Sequence, residues 1–421
     1  MRAGRRAGTG RRRREALGVL LAALTAACVG APATTEARSL TVVMADDWAT
    51  TEPVTDAVRD FEANHPGVTV QVQGLPFNQI MDAVAAGVAA GDPPDVVQQH
   101  AFAAAAVELA EPVDDLWQRW LDPAEYLPGA VKDVSWAGRR YGVPLDTNAM
   151  VLFANTDALR ATAAQLPAGP TTFAEVARVA EAVSTRDGSR RGIALASSSW
   201  TTYGWIRANG GEIVHVADDG AVRFSFTDPA VVAAVDFLGK MVRDMDAFPP
   251  ETRDVSADAF TLFRTERAAL HVSGTWEVAA LDELGLDWSY DIRPLPRGVD
   301  GTTQGSALGG SSLFIPRGSG ERALAFEFMI HLTGDDYALR LAKEEGRLPA
   351  RPRVFDDPFF HTPVYRTVLK QLETAHPLLI PAFPEAAEAF KQAYEDVLTG
   401  RAGAQDALRH AQAVAVRSLD G

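Results

Sequence analysis

Polar and aromatic side chains follow the short apolar segments of this 421-residue sequence that are predicted to be strands. The candidates are Asp46, Asp47 and Trp48 after residues 40–45, Gln98, Gln99 and His100 after residues 94–97, Asp146 and Asn148 after residues 141–145, Trp200 and Tyr203 after residues 192–195, and Trp276 after residues 268–272. Side chains at the carboxyl ends of strands meet in the ligand crevice of an open α/β sheet. Indoles stack on the apolar faces of sugar rings, while carboxylates, amides and guanidinium groups bind hydroxyls. The pattern therefore predicts a sugar-binding site.

Covalent catalysis has little support in the sequence. It contains neither a His-Glu-x-x-His run nor a Gly-x-x-x-x-Gly-Lys-Ser/Thr phosphate loop. The only cysteine, Cys28, lies in a predicted leader and is no candidate nucleophile for the folded part. We predict a protein that is not an enzyme and uses no metal or cofactor. One alternative stays open, a glycosidase with Asp46 or Asp47 opposite Asp146 as its two carboxylates.

The candidate side chains also have structural interpretations. An indole at the end of a strand suits core packing, which is the alternative for Trp48, Trp200 and Trp276. Asp146 is equally suited to accept hydrogen bonds in a turn, and a histidine such as His100 is often a structural hydrogen-bonding residue. Both interpretations remain open at the level of the sequence.

Strands and helices alternate along the first part of the chain. A strand at residues 40–45, a helix that begins near Thr51 and a strand from Val68 form a unit that predicts a parallel pair with a right-handed crossover. A helix at residues 78–90 and a buried strand at residues 94–97 extend the pattern. This order predicts an open α/β sheet flanked by helices.

A second α/β region follows farther along the chain. Thr172 begins a helix with a capping box, residues 192–195 are predicted to form a strand, and Pro229 opens another helix. Helices at residues 384–399 and 404–418 close the chain. About 390 residues are too many for one hydrophobic core, so two domains are expected.

The first 38 residues are predicted to lie outside the fold. Seven arginines precede an apolar run at residues 16–27, which is too short to span a bilayer and has the order of a secretory signal. The run ends in Leu-Thr-Ala-Ala before Cys28, which resembles the lipobox of bacterial lipoproteins. We predict a lipoprotein signal peptide at residues 1–27, lipidation of Cys28 and a flexible tether at residues 28–38. Ordinary cleavage near residues 31–33, with loss of Cys28, is the alternative.

The net charge argues against two classes of partner. The whole chain has a net charge of −15; without the seven arginines and one glutamate of the leader, 33 basic and 54 acidic residues leave about −21. Such a chain is a poor ligand for nucleic acid and for anionic membrane surfaces. We expect contact with the membrane only through the lipid anchor.

An ordered series of motifs resembles the family 1 extracellular solute-binding proteins, the relatives of maltose-binding protein. The longest is WAGRRYGVPLDTNAMVLFAN at residues 136–155, which resembles the segment that crosses the first hinge of that family. Shorter matches follow the family's order: PPDV at 93–96, ANGG at 208–211, FRTERAALHVSGTW at 263–276, PLP at 294–296 and Gly309-Gly310 before Ile315. The resemblance covers the chain from about residue 40 to its end.

The resemblance implies a two-lobed periplasmic-binding-protein fold of type II, each lobe a mainly parallel sheet flanked by helices, with a ligand cleft between the lobes. The implied crossings near Asp146, Leu308 and Arg351 assign residues 39–145 plus 309–351 to an N-terminal lobe and 146–308 plus 352–421 to a C-terminal lobe. The implied ligand-binding residues are Asp47, Trp48, Gln99, His100, Asp146, Asn148, Trp200, Tyr203, Trp276, Gly310, Ser311 and Arg351.

The resemblance also implies a function and partners. Family members capture a solute by hinge closure and deliver it to an ABC permease served by a separate ATPase. We therefore expect an exported monomer on the outer face of the cytoplasmic membrane that binds a carbohydrate. Two departures bear on the ligand: Gln98-Gln99-His100 stands where the maltose-binding relative has an indole, and residues 381–389 lack an expected tryptophan. A non-sugar solute such as a polyol phosphate or polyamine is an alternative.

Overall fold

Two larger β-sheets carry the fold. The computed structural model describes residues 37–161, 169–187, 189–196, 198–244 and 255–419. The predicted signal peptide, Cys28 and most of the predicted tether lie outside the described residues. Within those ranges, no helix is both long and apolar enough to cross a membrane.

The strands are β1 Arg38–Ala45, β2 Val68–Leu75, β3 Val96–Gln99, β4 Ser135–Trp136, β5 Arg139–Arg140, β6 Gly142–Ala149, β7 Val151–Asn155, β8 Arg191–Ala194, β9 Val214–Val216, β10 Val222–Phe224, β11 Ala268–Ser273, β12 Tyr290–Pro294, β13 Ser306–Phe314, β14 Leu348–Pro349 and β15 Ala375–Pro377. The helices are α1 Asp46–Ala49, α2 Glu52–Asn64, α3 Ile80–Ala90, α4 Ala101–Ala106, α5 Asp114–Trp120, α6 Pro128–Asp133, α7 Thr156–Arg160, α8 Phe173–Val183, α9 Ser199–Ala208, α10 Pro229–Asp244, α11 Val255–Arg264, α12 Trp276–Glu283, α13 Arg322–Leu332, α14 Asp335–Glu345, α15 Pro363–Leu372, α16 Pro384–Leu398 and α17 Ala404–Arg417.

The first sheet has seven strands in the order β14-β6-β13-β3-β1-β2, with β15 pairing to β13. β1 pairs in parallel with β2 and β3, as the predicted strand–helix–strand order requires. Helix α2 has Pro53 in its first turn and buries Val54, Ala57 and Phe61, whose spacing places them on one face. That face packs in the same core as the buried strand residues, which fixes the carboxyl end of β1.

The second sheet has four strands in the order β12-β7-β11-β8. Helix α8 begins at Thr172, whose side chain accepts a hydrogen bond from the Glu175 backbone at 3.2 Å. The Glu175 carboxylate accepts at 2.8 Å from the backbone N–H of Thr171, the residue before the cap, rather than from that of Thr172. The Thr172 half of the predicted capping box therefore forms, while Glu175 caps one residue earlier. Helices α8, α9, α10, α16 and α17 bury their apolar faces in one core on this sheet.

Both sheets are mixed in direction rather than mainly parallel. β13 runs antiparallel to β3 and β6, and β7 runs antiparallel to β11 and β12. The antiparallel pairs arise where the chain leaves the first sheet after β6 and returns to it at β13. Asp146 and Leu308, the predicted crossing points, lie inside these two strands; the first sheet continues through Ala149, and β7 of the second sheet begins at Val151.

Candidate functional site

Asp146 places a carboxylate in the middle of β6. Its Oδ1 accepts hydrogen bonds from the Ser311 backbone N–H at 2.7 Å and from the Ser311 hydroxyl at 2.6 Å. The residue is 9% exposed, and burial raises the pKa of its carboxyl group despite the opposing effects of the Arg347 charge and the Ser311 hydrogen bonds. Among the described residues Oδ2 has no hydrogen-bond partner, so this oxygen is free to accept from a ligand hydroxyl.

Gln98 connects this carboxylate to the ends of β1 and β3. Its Oε1 accepts from the Ala45 backbone N–H at 3.0 Å, and its Nε2 donates to the Ser311 hydroxyl at 3.0 Å. Ser311, which we predicted as a ligand contact, therefore has its hydroxyl engaged with both Gln98 and Asp146. Its observed role is to hold the Asp146 carboxylate in place.

Gly310 allows β13 to approach β6 at this point. Its φ is +114°, a conformation that disfavours any residue with a Cβ atom. A Cβ atom here would overlap the Asp146 carbonyl oxygen and lie 2.7 Å from Thr147 Cα. The glycine is thus required by the strand contact beside Asp146, and it is followed by a register shift between Ser311 and Ser312.

His100 contributes an imidazole next to the same carboxylate. Its Nδ1 lies 3.2 Å from Asp133 Oδ1 at the end of α6. Burial acts to lower the pKa of His100, but the Asp133 charge, the hydrogen bond to Asp133 and the Asp146 charge together raise it above its ordinary value. Among the described residues only Nδ1 of the ring has a hydrogen-bond partner, which leaves Nε2 for a ligand.

Gln99 is fully engaged within the protein. Its Nε2 donates to the Phe77 carbonyl at 3.0 Å, and its Oε1 accepts from the His100 backbone at 3.0 Å. The amide holds the loop after β2, where Phe77 is 39% exposed and meets the His100 ring edge-on at 6.0 Å between centroids. Phe77 is an aromatic candidate that we did not predict, although it follows β2 as Trp48 follows β1.

Arg347 is a second residue that sequence reasoning missed. Its Nη2 donates to Asp47 Oδ2 at 2.6 Å, and its guanidinium lies over the Trp48 ring, 5.0 Å from the centroid. Trp48 is itself buried in the core beneath Arg347, so the guanidinium and Asp47 present the polar surface here. Arg347 directly precedes β14, whose Pro349 pairs with Asp146.

Trp200 and Trp276 form a pair of half-buried indoles. Their ring centroids are 5.3 Å apart with an interplanar angle of 33°. Trp200 Nε1 donates to the Leu308 carbonyl at 3.0 Å, and Gly346, beside Arg347, packs near the Trp276 backbone. The indoles therefore lie next to β13, where Trp200 packs on Gly309, two residues from the Ser311 that pairs with Asp146.

Asn148 lies on β6, opposite Gly309 of β13. It is buried, and its Oδ1 accepts from the backbone N–H and the hydroxyl of Thr275, each at 3.1 Å. The oxygen that we predicted for a ligand is thus used to hold the turn before Trp276.

Two predicted contacts do not reach this region. Tyr203 is 0% exposed, and its hydroxyl donates to Glu212 and to the Pro377 carbonyl. Arg351 is buried and bonded to Glu125 and the Tyr126 hydroxyl. Both side chains are themselves buried and hydrogen-bonded within the protein, so neither offers a surface to a ligand in this structure.

The resulting site is a connected surface of aromatic rings and paired charges. Arg347 faces Asp47 and His100 faces Asp133, whereas Asp146 has no ion-pair partner among the described residues. Across the ranges that the structure describes, no group of three or more His, Cys, Asp or Glu side chains is arranged to hold a metal ion. The arrangement suits the stacking and hydrogen bonding of a polar ligand with apolar faces.

Comparison with protein families matches residues 56–366, about three quarters of the chain, to the bacterial extracellular solute-binding proteins. Among curated relatives, a galactooligosaccharide-binding protein of Bacillus subtilis is 24% identical over 88% of this chain and 87% of its own length. An uncharacterised lipoprotein of Streptomyces antibioticus is 27% identical over 82% and 78%.

A solved structure has the same fold. The GacH receptor of Streptomyces glaucescens, determined unliganded and with acarbose, aligns with a TM-score of 0.77 at 19% identity, covering 91% of this chain and 99% of the receptor. The likeness confirms the predicted periplasmic-binding-protein-like fold of type II.

Proposed function

The chain belongs to the bacterial extracellular solute-binding proteins, and we propose that it captures a carbohydrate for an ABC transporter. The observation that carries the proposal is the half-buried Trp200–Trp276 pair, which packs on β13 at Gly309, two residues from Ser311, the hydrogen-bond partner of Asp146. A pyranose presents an apolar face for an indole and hydroxyls at its rim for a carboxylate. The B. subtilis relative is named for binding a galactooligosaccharide, which agrees with this ligand class.

The charges of the site favour a neutral ligand over the alternatives. Arg347 and His100 each already face a carboxylate, so a polyol phosphate would have to compete with Asp47 and Asp133 for them. A polyamine would meet the Arg347 cation, whose charge acts on the Asp146 carboxylate. A neutral sugar can bind without displacing Asp47 from Arg347 or Asp133 from His100.

The proposed action is binding without chemical change of the ligand. Asp47, one of the carboxylates considered for a glycosidase, is exposed and ion-paired with Arg347. We propose two lobes, for which the resemblance implies residues 39–145 plus 309–351 and 146–308 plus 352–421. Because β6 and β13 keep residues 146–149 and 306–308 in the first sheet, we place the hinge at Met150 and before Ser306 instead. A ligand that contacts both lobes favours the closed form, and a permease can recognise the closed form.

Export and anchoring belong to the same proposal. Cys28 follows a lipobox-like sequence, and a relative named as a lipoprotein shares 27% identity. We infer that a lipid on Cys28 holds the monomer at the outer face of the cytoplasmic membrane, where a permease with a separate ATPase takes over the sugar.

Ligand screening tests the proposed function. The purified protein is titrated with mono- and oligosaccharides, polyols, polyol phosphates and polyamines while intrinsic tryptophan fluorescence and the melting temperature are recorded. We expect one class of sugar to raise the melting temperature and change the fluorescence together. A response confined to phosphorylated ligands or polyamines would refute the carbohydrate proposal.

A further inference from the structure

The two indoles of the site are held by neighbouring strands. Trp200 Nε1 donates to the carbonyl of Leu308 on β13, and Asn148 on β6 accepts both hydrogen bonds from Thr275. In the register of these strands Asn148 lies opposite Gly309, the residue after Leu308. The anchors of the two rings are therefore side by side on the strands by which the chain leaves and re-enters the first sheet.

Two glycines, Gly309 and Gly274, allow the indole rings to pack closely against the backbone. A Cβ atom at Gly309 would lie 2.8 Å from Trp200 Cζ2 and 3.4 Å from Asn148 Cβ, so Trp200 packs directly on the β13 backbone. A Cβ atom at Gly274 would overlap the six-membered ring of Trp276, which folds back over its own turn. The orientation of both indoles is thus fixed by backbone contacts on one side.

The buried carboxylate of Glu277 holds the turn before Trp276. Glu277 in the first turn of α12 lies 2.8 Å from His271 Nε2 and accepts from the Ser273 hydroxyl at 2.7 Å. All three residues are buried, and they join the end of β11 to the start of α12. The turn that contains Thr275 is therefore attached to the second sheet through the Glu277 hydrogen bonds and to the first sheet through Asn148.

We propose that Asn148 is a positioning residue which, through Thr275, sets the tilt of Trp276 against Trp200. Together with the Leu308 carbonyl, it attaches the indole pair to the two strands that flank the crossing between the sheets. That the two indoles stack on a sugar rests on the proposed function. The positioning of Trp276 by Asn148 does not depend on it.

Circular dichroism of the full chain without any ligand tests the assignment. Two indoles at this separation couple electronically and give a paired positive and negative band in the far ultraviolet. Trp200→Phe and Trp276→Phe each identify this band pair by removing it. We expect Asn148→Leu to lose the band pair as Trp276→Phe does and to increase fluorescence quenching by acrylamide, whereas Asn148→Asp keeps the Oδ1 acceptor and retains both signals.

A control separates positioning from a general loss of stability. Asn155→Leu removes another buried asparagine, whose Oδ1 accepts from the Ala158 backbone, and should lower the melting temperature with the band pair intact. If Asn148→Leu does not fold, Thr275→Val removes the hydroxyl bond alone and decides the question by the same readout. A wild-type band pair in whichever of these two variants is folded overturns the proposal. Failure of every sugar to bind would refute the proposed function and leave this result unaffected.

Discussion

Replacing Asp146 by asparagine separates ligand binding from stability. The substitution keeps Oδ1 as the acceptor for Ser311 but converts Oδ2, the atom without a partner among the described residues, from an acceptor into an N–H donor. A hydrogen bond to a charged group contributes about 1.5–3 kcal/mol, which corresponds to about 10- to 150-fold in affinity. We expect Asp146→Asn to weaken sugar binding by this factor.

The same substitution should not lower the free energy of unfolding, although it weakens binding. Because the pKa of Asp146 is raised in the folded protein, ionisation is harder there than in the unfolded chain. Ionisation of the Asp146 carboxyl group therefore lowers the free energy of unfolding as pH rises from the ordinary carboxyl range through the raised pKa. At pH 7 the asparagine variant should be at least as stable as wild type.

The assay combines isothermal titration calorimetry with thermal unfolding. Asp300→Asn is a matched control, since Asp300 also accepts from backbone N–H and hydroxyl groups but lies in an exposed loop after β12. The control should bind the sugar as wild type does. Wild-type affinity in Asp146→Asn would refute the assignment of Oδ2 as a ligand acceptor.

Three further outcomes follow from the same geometry. Trp276→Ala should weaken sugar binding by about 1–3 kcal/mol through loss of stacking, measured by calorimetry, and unchanged affinity would contradict the role of the indole pair. Gly310→Ala should lower the free energy of unfolding by at least about 1–3 kcal/mol in chemical denaturation, because φ is +114° and the added carbon meets β6; near wild-type stability would disprove the strand contact. His100 should titrate above its ordinary pKa of 6.5 by NMR, and Asp133→Asn should lower that value. The contribution of His100 to stability is complete below about pH 6.5 and is lost as pH rises through the raised pKa, so a His100→Gln variant should approach wild-type stability at alkaline pH.

Element positions followed closely from local sequence patterns. The apolar spacing after Thr51 predicted α2, and the alternation from Val68 predicted β2, because burial on one face leaves a direct periodic signal. The mixed direction of the sheets could not be predicted in this way. It depends on the path by which β13 returns beside β3 and β6, and no local pattern encodes that path.

Only those site residues that directly follow a strand could be predicted from the sequence. Asp46 to Trp48 and His100 follow strands, so their places at the sheet edge could be inferred from order alone. Arg347 precedes a two-residue strand with no periodic signal, and it was missed. Tyr203 was included because it lies near Trp200 in sequence, but within α9 it points into the core, where its hydroxyl binds Glu212.

The most direct test of the central claim is calorimetric titration with the sugar selected by screening, followed by mass spectrometry of the recovered ligand. The account predicts one sugar bound per protein chain and a ligand recovered intact. A cleaved sugar, or saturable binding of a non-sugar solute only, would contradict it.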